Sequence, residues 1–229
     1  MNGPGDCSSR RPMGGRLLPD PPLCLITDES VSGDRLAGLV EGACRAGCRW
    51  VQLRLRAATG AHLSWLARRL RLITRACSAT LIVHDRADVA LACDADGLHL
   101  PAAGMTPAAA RRLIGSNRLL GRSVHGIEEI RRLKDEPIDY FQFGPVYDTP
   151  SKRRYGAPQG ISRLADAVAA AGGIPVVAVG GIDSSRVGET LAAGAAGVAV
   201  IRALGGDRAG VEERTGRMIT AIRAAQGAR

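Results

Sequence analysis

Apolar runs typical of buried strands alternate with amphipathic, helix-like stretches along this chain from about residue 22 onward. This alternation is expected when each parallel strand is followed by a helix that crosses back over the sheet. The predicted strands are Leu23–Thr27, Trp50–Leu55, Thr80–His84, Gly97–Leu100, Leu119–Val124, Tyr140–Gly144, Pro175–Val179 and Gly197–Ile201. The predicted helices are Asp34–Ala46, Leu63–Ala76, Ala87–Cys93, Pro107–Ile114, Ile127–Leu133, Ile161–Ala170, Ser184–Ala193 and Val211–Ala225. Eight such pairs predict a single (β/α)8 TIM barrel from residue 21 to residue 229, and a doubly wound open sheet is the alternative.

The last two predicted strands end in sequences that suit phosphate binding. The seventh runs into Gly180 and Gly181, and the eighth into Ile201 and Arg202. Glycines let backbone N–H groups approach a ligand closely, and the loops after the last two strands of such a barrel commonly hold a phosphate. We therefore expect a small phosphorylated ligand at these four residues.

Composition narrows the function classes. The net charge is +9, but the arginines are scattered and only 3% of residues are aromatic, so a solvated basic surface is favoured over nucleic-acid binding. The six cysteines include no C-x-x-C pair and are expected to be small buried hydrophobes. No apolar run reaches the roughly 18 residues of a membrane span, which favours a cytoplasmic protein without a membrane partner. Residues 1–20 are rich in Gly, Pro and Arg and are expected to form a disordered extension.

Polar residues at strand tips are candidates for ligand contact, because they face the barrel mouth. Gln52, Arg54 and Arg56 share one face by the two-residue period of a strand. They predict an anion-binding wall, with an internal arginine–carboxylate network as the alternative. His84 and Asp85 end the third strand, where one carboxylate alone would make a weak all-protein Mg²⁺ site.

Residues that follow the fifth and sixth predicted strands are also candidates for catalysis or ligand binding. His125 follows Ser123 at the end of the fifth strand, and an imidazole suits proton transfer in both directions at neutral pH. We therefore take His125 as the candidate acid–base group, and the alternatives are a helix-capping role or a hydrogen bond to a neighbouring residue. After the sixth strand, Thr149, Ser151 and Lys152 form a donor-rich, positively charged loop that suits a phosphate and is long enough to close as a lid.

Short motifs follow one another at barrel spacing between about Leu23 and Ala225. They are Ile26-Thr27-Asp28, V-Q-L-R from Val51, H-D-R from His84, A-D-G-L-H-L from Ala95, G-R-S-V-H from Gly121, F-G-P-V from Phe143, T-P-S-K from Thr149 and A-V-G-G-I from Ala178. Together they resemble the thiamine phosphate synthase and thiazole tautomerase (TenI) superfamily. The resemblance implies a role in vitamin B1 synthesis with a phosphorylated thiazole as the small-molecule partner. It places Gln52 and Arg54 in the substrate pocket. With the strand-tip and loop residues above, we expect substrate contacts at Gln52, Arg54, Arg56, His84, Ser123, Thr149, Ser151 and Lys152; a histidine that only bonds Asp85 is the alternative for His84.

The two branches of this superfamily do different chemistry, and the departures of this chain bear on the choice. The synthase pattern holds Mg²⁺ between two aspartates, whose positions match Asp85 and Gly104 here, and glycine cannot be a ligand. Arg56 and Arg202 stand where the synthase pattern has Lys and Ser. The tautomerase branch needs no metal and keeps its catalytic histidine where this chain has His125. We therefore expect a metal-independent thiazole tautomerase, closer to the TenI branch, without a cofactor.

Two alternatives stay open at this point. One is a thiamine phosphate synthase, with Mg²⁺ at Asp85, that joins hydroxymethylpyrimidine diphosphate to thiazole phosphate and releases pyrophosphate. The other is a protein that binds thiazole or thiamine phosphate without turnover. Neither nucleic acid nor membrane is an expected partner, and a homo-oligomer is compatible with the sequence.

Overall fold

Eight parallel strands close into a barrel in the computed structural model, which describes residues 18–31, 33–149, 157–205 and 208–227. Each strand pairs with its neighbours in chain order, and the eighth pairs with the first through Leu23↔Val198. The strands are β1 (Leu23–Ile26), β2 (Trp50–Leu53), β3 (Thr80–His84), β4 (Gly97–Leu100), β5 (Leu119–Val124), β6 (Tyr140–Phe143), β7 (Val176–Val179) and β8 (Gly197–Val200). This closed order confirms the (β/α)8 barrel and excludes the open doubly wound sheet.

The helices follow the strands one for one within the described residues. They are α1 (Gly33–Arg45), α2 (Gly60–Ala76), α3 (Ala87–Ala92), α4 (Pro107–Ile114), α5 (Ile127–Leu133), α6 (Gly160–Ala170), α7 (Val187–Ala192) and α8 (Arg208–Gly227). Helices α2 and α8 begin three residues before their predicted starts, and α7 begins three residues late, at Val187 rather than Ser184. Asp183 explains the late start of α7, because its carboxylate accepts hydrogen bonds from the backbone N and Oγ of Ser185 and holds the preceding residues in a turn.

The apolar core has two parts, which follow from the alternation of side chains along each strand. One part lies between the strands and the helices and includes Leu25, Leu53 and Phe141. The other includes Trp50 and Tyr140, whose rings meet edge to face at 5.0 Å inside the barrel. Further inward-facing positions toward the C-terminal ends of the strands are polar, and the candidate site lies there.

Two aspartates fasten the opposite, N-terminal ends of the strands. Asp139 Oδ2 accepts from Leu120 N at 2.7 Å and from Arg111 Nη2 at 2.7 Å. Asp96 Oδ2 accepts from Leu81 N at 2.7 Å, and Arg71 pairs with the same carboxylate. Both carboxylates precede a strand and bond the strand before it, so part of the basic residue content serves the fold rather than a ligand.

Other predictions concern the chain ends, the cysteines and the membrane. Residues 1–17 of the predicted extension lie outside the described residues. Every cysteine in the described part of the chain is a free thiol, and all but Cys77 are buried. None of the helices in the described ranges combines the length and apolar character needed to cross a bilayer.

Candidate active site

A narrow pocket opens at the C-terminal ends of the strands, where the sequence predicted ligand contacts. Its lining brings together residues from all eight strands or the loops that follow them. The predicted site residues among them are Gln52, Arg54, Arg56, His84, Ser123, His125, Gly180 and Ile201. The mouth pocket, as we call it, therefore unites eight residues that are far apart in the sequence.

Arg54 and Arg56, the two arginines of the predicted anion-binding wall, lie beyond the end of β2 rather than within the strand. The backbone N of Arg54 donates to Thr27 Oγ1 at 2.9 Å, and the backbone N of Arg56 donates to the Glu29 carboxylate. Both contacts tie the loop after β2 to the loop after β1. The two guanidinium groups are thus carried by an anchored backbone while they line the pocket, which suits an anionic ligand.

The floor of the mouth pocket consists of two side-chain amides and an imidazole that contact one another. Gln142 Nε2 donates to Gln52 Oε1 at 2.7 Å, and Gln52 Nε2 lies 3.5 Å from His84 Nδ1. The His84 ring stacks on that of His99 with centroids 5.6 Å apart. Gln142 was not among the predicted site residues, although it lines the pocket and orients Gln52. Parallel pairing of β5 and β6, with Ser123 opposite Gln142, is the signal that could have found it.

His99 lies beneath Ser123 in the barrel interior and is fully buried. Its Nε2 lies 2.8 Å from Ser123 Oγ, and its Nδ1 lies 3.2 Å from the Tyr140 hydroxyl. Burial lowers the pKa of His99 well below its ordinary value, and the neighbouring His84 lowers it further, while burial raises the pKa of Tyr140. This contact between His99 and a pocket-lining hydroxyl is what sequence reasoning missed.

His125 is held by its backbone and by one ring nitrogen. Its Nδ1 lies 2.6 Å from the carbonyl oxygen of Gly144, and because a carbonyl can only accept, Nδ1 carries the proton. In the neutral ring Nε2 is then an acceptor, and no protein partner for it is recorded among the described residues. The backbone N of His125 donates to Glu129 of α5. The imidazole itself does not cap α5, and it is available to a ligand in the mouth pocket.

A second, larger cavity of about 430 Å³ adjoins the mouth pocket at the ends of β7 and β8. Gly180 and Gly181 adopt φ values of +101° and +66° there, a conformation that glycine reaches without strain. A Cβ at Gly181 would lie 2.8 Å from Cβ of Tyr147, so no side chain fits at that point either. The glycine pocket, as we call it, includes the four residues predicted to bind phosphate: Gly180, Gly181, Ile201 and Arg202.

Two arginines supply positive charge to the glycine pocket. Arg202 donates to the Thr149 hydroxyl and so links the loop after β8 to the loop after β6. Arg186 donates to Gly181 O at 2.6 Å and lies over the ring of Tyr147. The sequence did not predict Arg186, because α7 was expected to begin before it. Ser151 and Lys152, which complete the predicted phosphate loop, lie outside the described residues.

Asp85 follows His84 at the end of β3, with its backbone at φ +65°. A Cβ placed on Gly104 would lie 3.6 Å from Asp85 Oδ1, so position 104 faces this carboxylate across the loop after β4. Residues 18–31, 33–149, 157–205 and 208–227 contain no cluster of three or more His, Cys, Asp or Glu side chains that could hold a metal ion. Magnesium, however, is often bound by one or two carboxylates together with substrate phosphates and water. The residues around Asp85 therefore fit a Mg²⁺ ion that is also bound by a substrate diphosphate. They do not fit an ion bound by protein ligands alone.

The closed barrel carries a polar mouth pocket and an adjoining glycine pocket at the C-terminal ends of its strands, the arrangement typical of (β/α)8-barrel enzymes. Comparison with known proteins makes this more specific. The family model described as thiamine monophosphate synthase matches residues 23–204. The chain belongs to this thiamine phosphate synthase family and is an enzyme of thiamine biosynthesis.

Individual relatives agree with the family. A Geobacter sulfurreducens protein, provisionally assigned as a thiamine-phosphate synthase, is 48% identical over 183 residues, which are 80% of this chain and 85% of that protein. Thiamine-phosphate synthase of Chlorobium luteolum is 39% identical over 202 residues, 88% of this chain and 92% of its own. The solved structure of thiamine phosphate pyrophosphorylase from Pyrococcus furiosus is 31% identical, with a TM-score of 0.79 over 89% of this chain and 96% of that one. The first two relatives bear synthase names and none of the three is named a tautomerase, so they support the synthase alternative rather than the predicted tautomerase.

Proposed function

We propose that this protein is a thiamine phosphate synthase, which joins a pyrimidine diphosphate to a thiazole phosphate. The observation that carries the proposal is that the mouth pocket and the glycine pocket share Val179, Gly180 and Ile201 as a common wall. A synthase must hold two phosphorylated substrates with their reacting atoms close together. Two adjoining pockets suit that task, whereas a tautomerase holds a single substrate.

In the proposed reaction the bond between the pyrimidine methylene carbon and the diphosphate oxygen breaks, and the same carbon bonds to the thiazole nitrogen. The leaving group is pyrophosphate, which takes the electron pair of the broken bond. Arg54 and Arg56, which line the mouth pocket, would stabilise the negative charge that develops on it. Gly180, Gly181 and Arg202 would bind the thiazole phosphate, and Gln52, His84 and Ser123 would contact the pyrimidine ring.

Asp85 is the residue that would hold Mg²⁺ in this site. Bound there, the ion would neutralise charge on the diphosphate and so improve it as a leaving group. Asp85 alone provides a weak protein site, and the diphosphate oxygens would supply further ligands. The arginines at positions 54 and 56 add to the same neutralisation from the protein side.

The test is to incubate the purified full-length protein with both substrates and Mg²⁺ and to follow thiamine phosphate and pyrophosphate. We expect both products in equal amounts, and loss of most activity in Asp85→Asn. Asp88→Asn is the matched control, because Asp88 pairs with Arg86 at the surface and lies three residues away. Absence of pyrophosphate release from the wild-type protein would refute the proposal.

A metal-independent thiazole tautomerase is the second candidate, and the geometry of His125 favours it. With Nδ1 committed to Gly144 O, Nε2 of the neutral ring is suited to taking a proton from a ligand in the mouth pocket. Aromatisation of the non-aromatic thiazole carboxylate phosphate by wild-type protein, lost in His125→Ala and unaffected by removal of metal, would establish this activity. Tight binding of thiazole phosphate with no product from either assay would point instead to a binding protein.

A further inference from the structure

The hydroxyl of Tyr140 has one hydrogen-bond partner recorded in the described part of the chain, which is His99 Nδ1 at 3.2 Å. Tyr140 is fully buried and packs against Trp50, so water does not reach its hydroxyl. Buried hydroxyl protons in folded proteins are almost always donated to an acceptor. The phenol proton is therefore donated to His99 Nδ1, which must carry a lone pair rather than a hydrogen.

This assignment fixes the rest of the chain of hydrogen bonds. With Nδ1 unprotonated, the imidazole carries its hydrogen on Nε2, which donates to Ser123 Oγ at 2.8 Å. The opposite direction would place a hydrogen on Nδ1 and leave the phenol proton without an acceptor. Ser123 Oγ thus accepts from below, and its own proton has no recorded acceptor among the described residues. Ser123 lines the mouth pocket, so that proton is free to be donated to a ligand bound there.

Gly121 lies beside the hydrogen bond between Tyr140 and His99 and leaves no room for a side chain. A Cβ at Gly121 would lie 2.6 Å from His99 Nδ1 and closer still to the ring and hydroxyl of Tyr140. The three residues occupy one register row, with His99 opposite Gly121 and Gly121 opposite Tyr140. The absence of a side chain in the middle of the row allows the phenol to reach the imidazole across it.

We propose that Tyr140 and His99 are positioning residues that hold Ser123 as a hydrogen-bond donor to an acceptor atom, such as an unprotonated ring nitrogen, of the pyrimidine substrate. This inference rests on the proposed synthase function for the identity of the ring, but the direction of the hydrogen bonds does not depend on it. A ring with a hydrogen at that atom would face a second donor and would be rejected.

The first test is the tautomer of His99 in the free protein, measured by ¹⁵N NMR of histidine-labelled full-length chain and assigned with His99→Gln. We expect a protonated Nε2 and an unprotonated Nδ1 in the wild-type protein, and loss of this single tautomer in Tyr140→Phe. Trp50→Phe is the matched control, since it disturbs packing on the same phenol without touching the hydrogen bonds. A protonated Nδ1 in the wild-type protein would overturn the proposal, whatever the activity of the enzyme.

The second test is kinetic. Ser123→Ala and His99→Leu should each raise KM for the pyrimidine diphosphate about fivefold, the effect of one net hydrogen bond, with a smaller change in kcat. The double variant should show little more than either single change, and His99→Gln, which keeps an amide donor, should be closer to wild type. An unchanged KM in Ser123→Ala would contradict the donor role. If the wild-type protein gives no turnover, the synthase proposal fails, and calorimetric affinities of the same variants for the pyrimidine diphosphate still decide the role of Ser123.

Discussion

Replacing Gly121 by alanine should damage both the stability of the barrel and its site, although it adds a single methyl group. The added carbon would overlap the Tyr140 ring and lie 2.6 Å from His99 Nδ1. Neither neighbour can yield easily, because both are fully buried and Tyr140 is in addition packed against Trp50. The phenol must move, and the hydrogen bond between its hydroxyl and His99 is then lost.

The size of the effect can be worked out from these contacts. Overpacking a tight core costs about 1–3 kcal/mol. A buried hydroxyl left without its partner costs about 1–3 kcal/mol more. The lower backbone entropy of alanine in the unfolded chain offsets only about 0.4–1 kcal/mol. We therefore expect Gly121→Ala to lower the free energy of unfolding by about 2–5 kcal/mol, which for a chain of this length lowers Tm by about 5–15 °C.

Thermal and denaturant unfolding of the two proteins measure this difference directly. The control is Gly216→Ala in α8, where no atom lies within 4 Å of the added carbon and a small gain of about 0.5–1 kcal/mol is expected. Thiamine phosphate formation by the folded variant, below its Tm, should show a raised KM for the pyrimidine substrate. A Gly121→Ala protein as stable as wild type would refute the argument, because it would mean that Tyr140 can move away at no cost.

Three further changes test other parts of the molecule. Asp139→Ala should lower the free energy of unfolding by about 2–4 kcal/mol, since it leaves the backbone N–H of Leu120 without an acceptor and removes the carboxylate paired with Arg111. Asp135→Ala, at an exposed position, should change it by less than about 0.5 kcal/mol in the same denaturation assay. Arg202→Ser should raise KM for the thiazole phosphate about two- to tenfold without affecting KM for the diphosphate, as initial rates would show. Gly104→Asp should lower the Mg²⁺ concentration at half-maximal rate and also lower Tm in metal-free buffer, because it sets a second carboxylate against Asp85.

The fold could be predicted because two periodicities run through the chain without interruption. Every predicted strand and helix exists within a few residues of its expected bounds, and the late start of α7 came from a short turn formed by Asp183 and Ser185. Hydrophobic pattern locates buried elements well, but it carries little information on the residues of a turn, whose conformation depends on one or two hydrogen bonds.

The lining of the site could be predicted in part for the same reason. Residues at strand tips, such as His84 and His125, were found because position alone brings them to the mouth. Gln142 and Tyr140 were missed because they lie inside strands, where the sequence shows only that they are inward-facing. Their function depends on which neighbours stand opposite them, and that follows from the register of the closed barrel rather than from either strand alone.

The expected tautomerase rested on a count of metal ligands, and the structure shows why that count discriminates poorly. Gly104 does face Asp85, so an aspartate at position 104 would place a second carboxylate beside the first. A diphosphate substrate, however, supplies oxygen ligands to Mg²⁺ when it binds. The affinity of the substrate-free protein for Mg²⁺ therefore says little about whether the bond-breaking step can occur. The number of substrate compartments is tied more directly to the reaction, because joining two molecules requires both to be bound at once. Two pockets with Gly180 and Ile201 in their common wall therefore weigh more than one missing carboxylate.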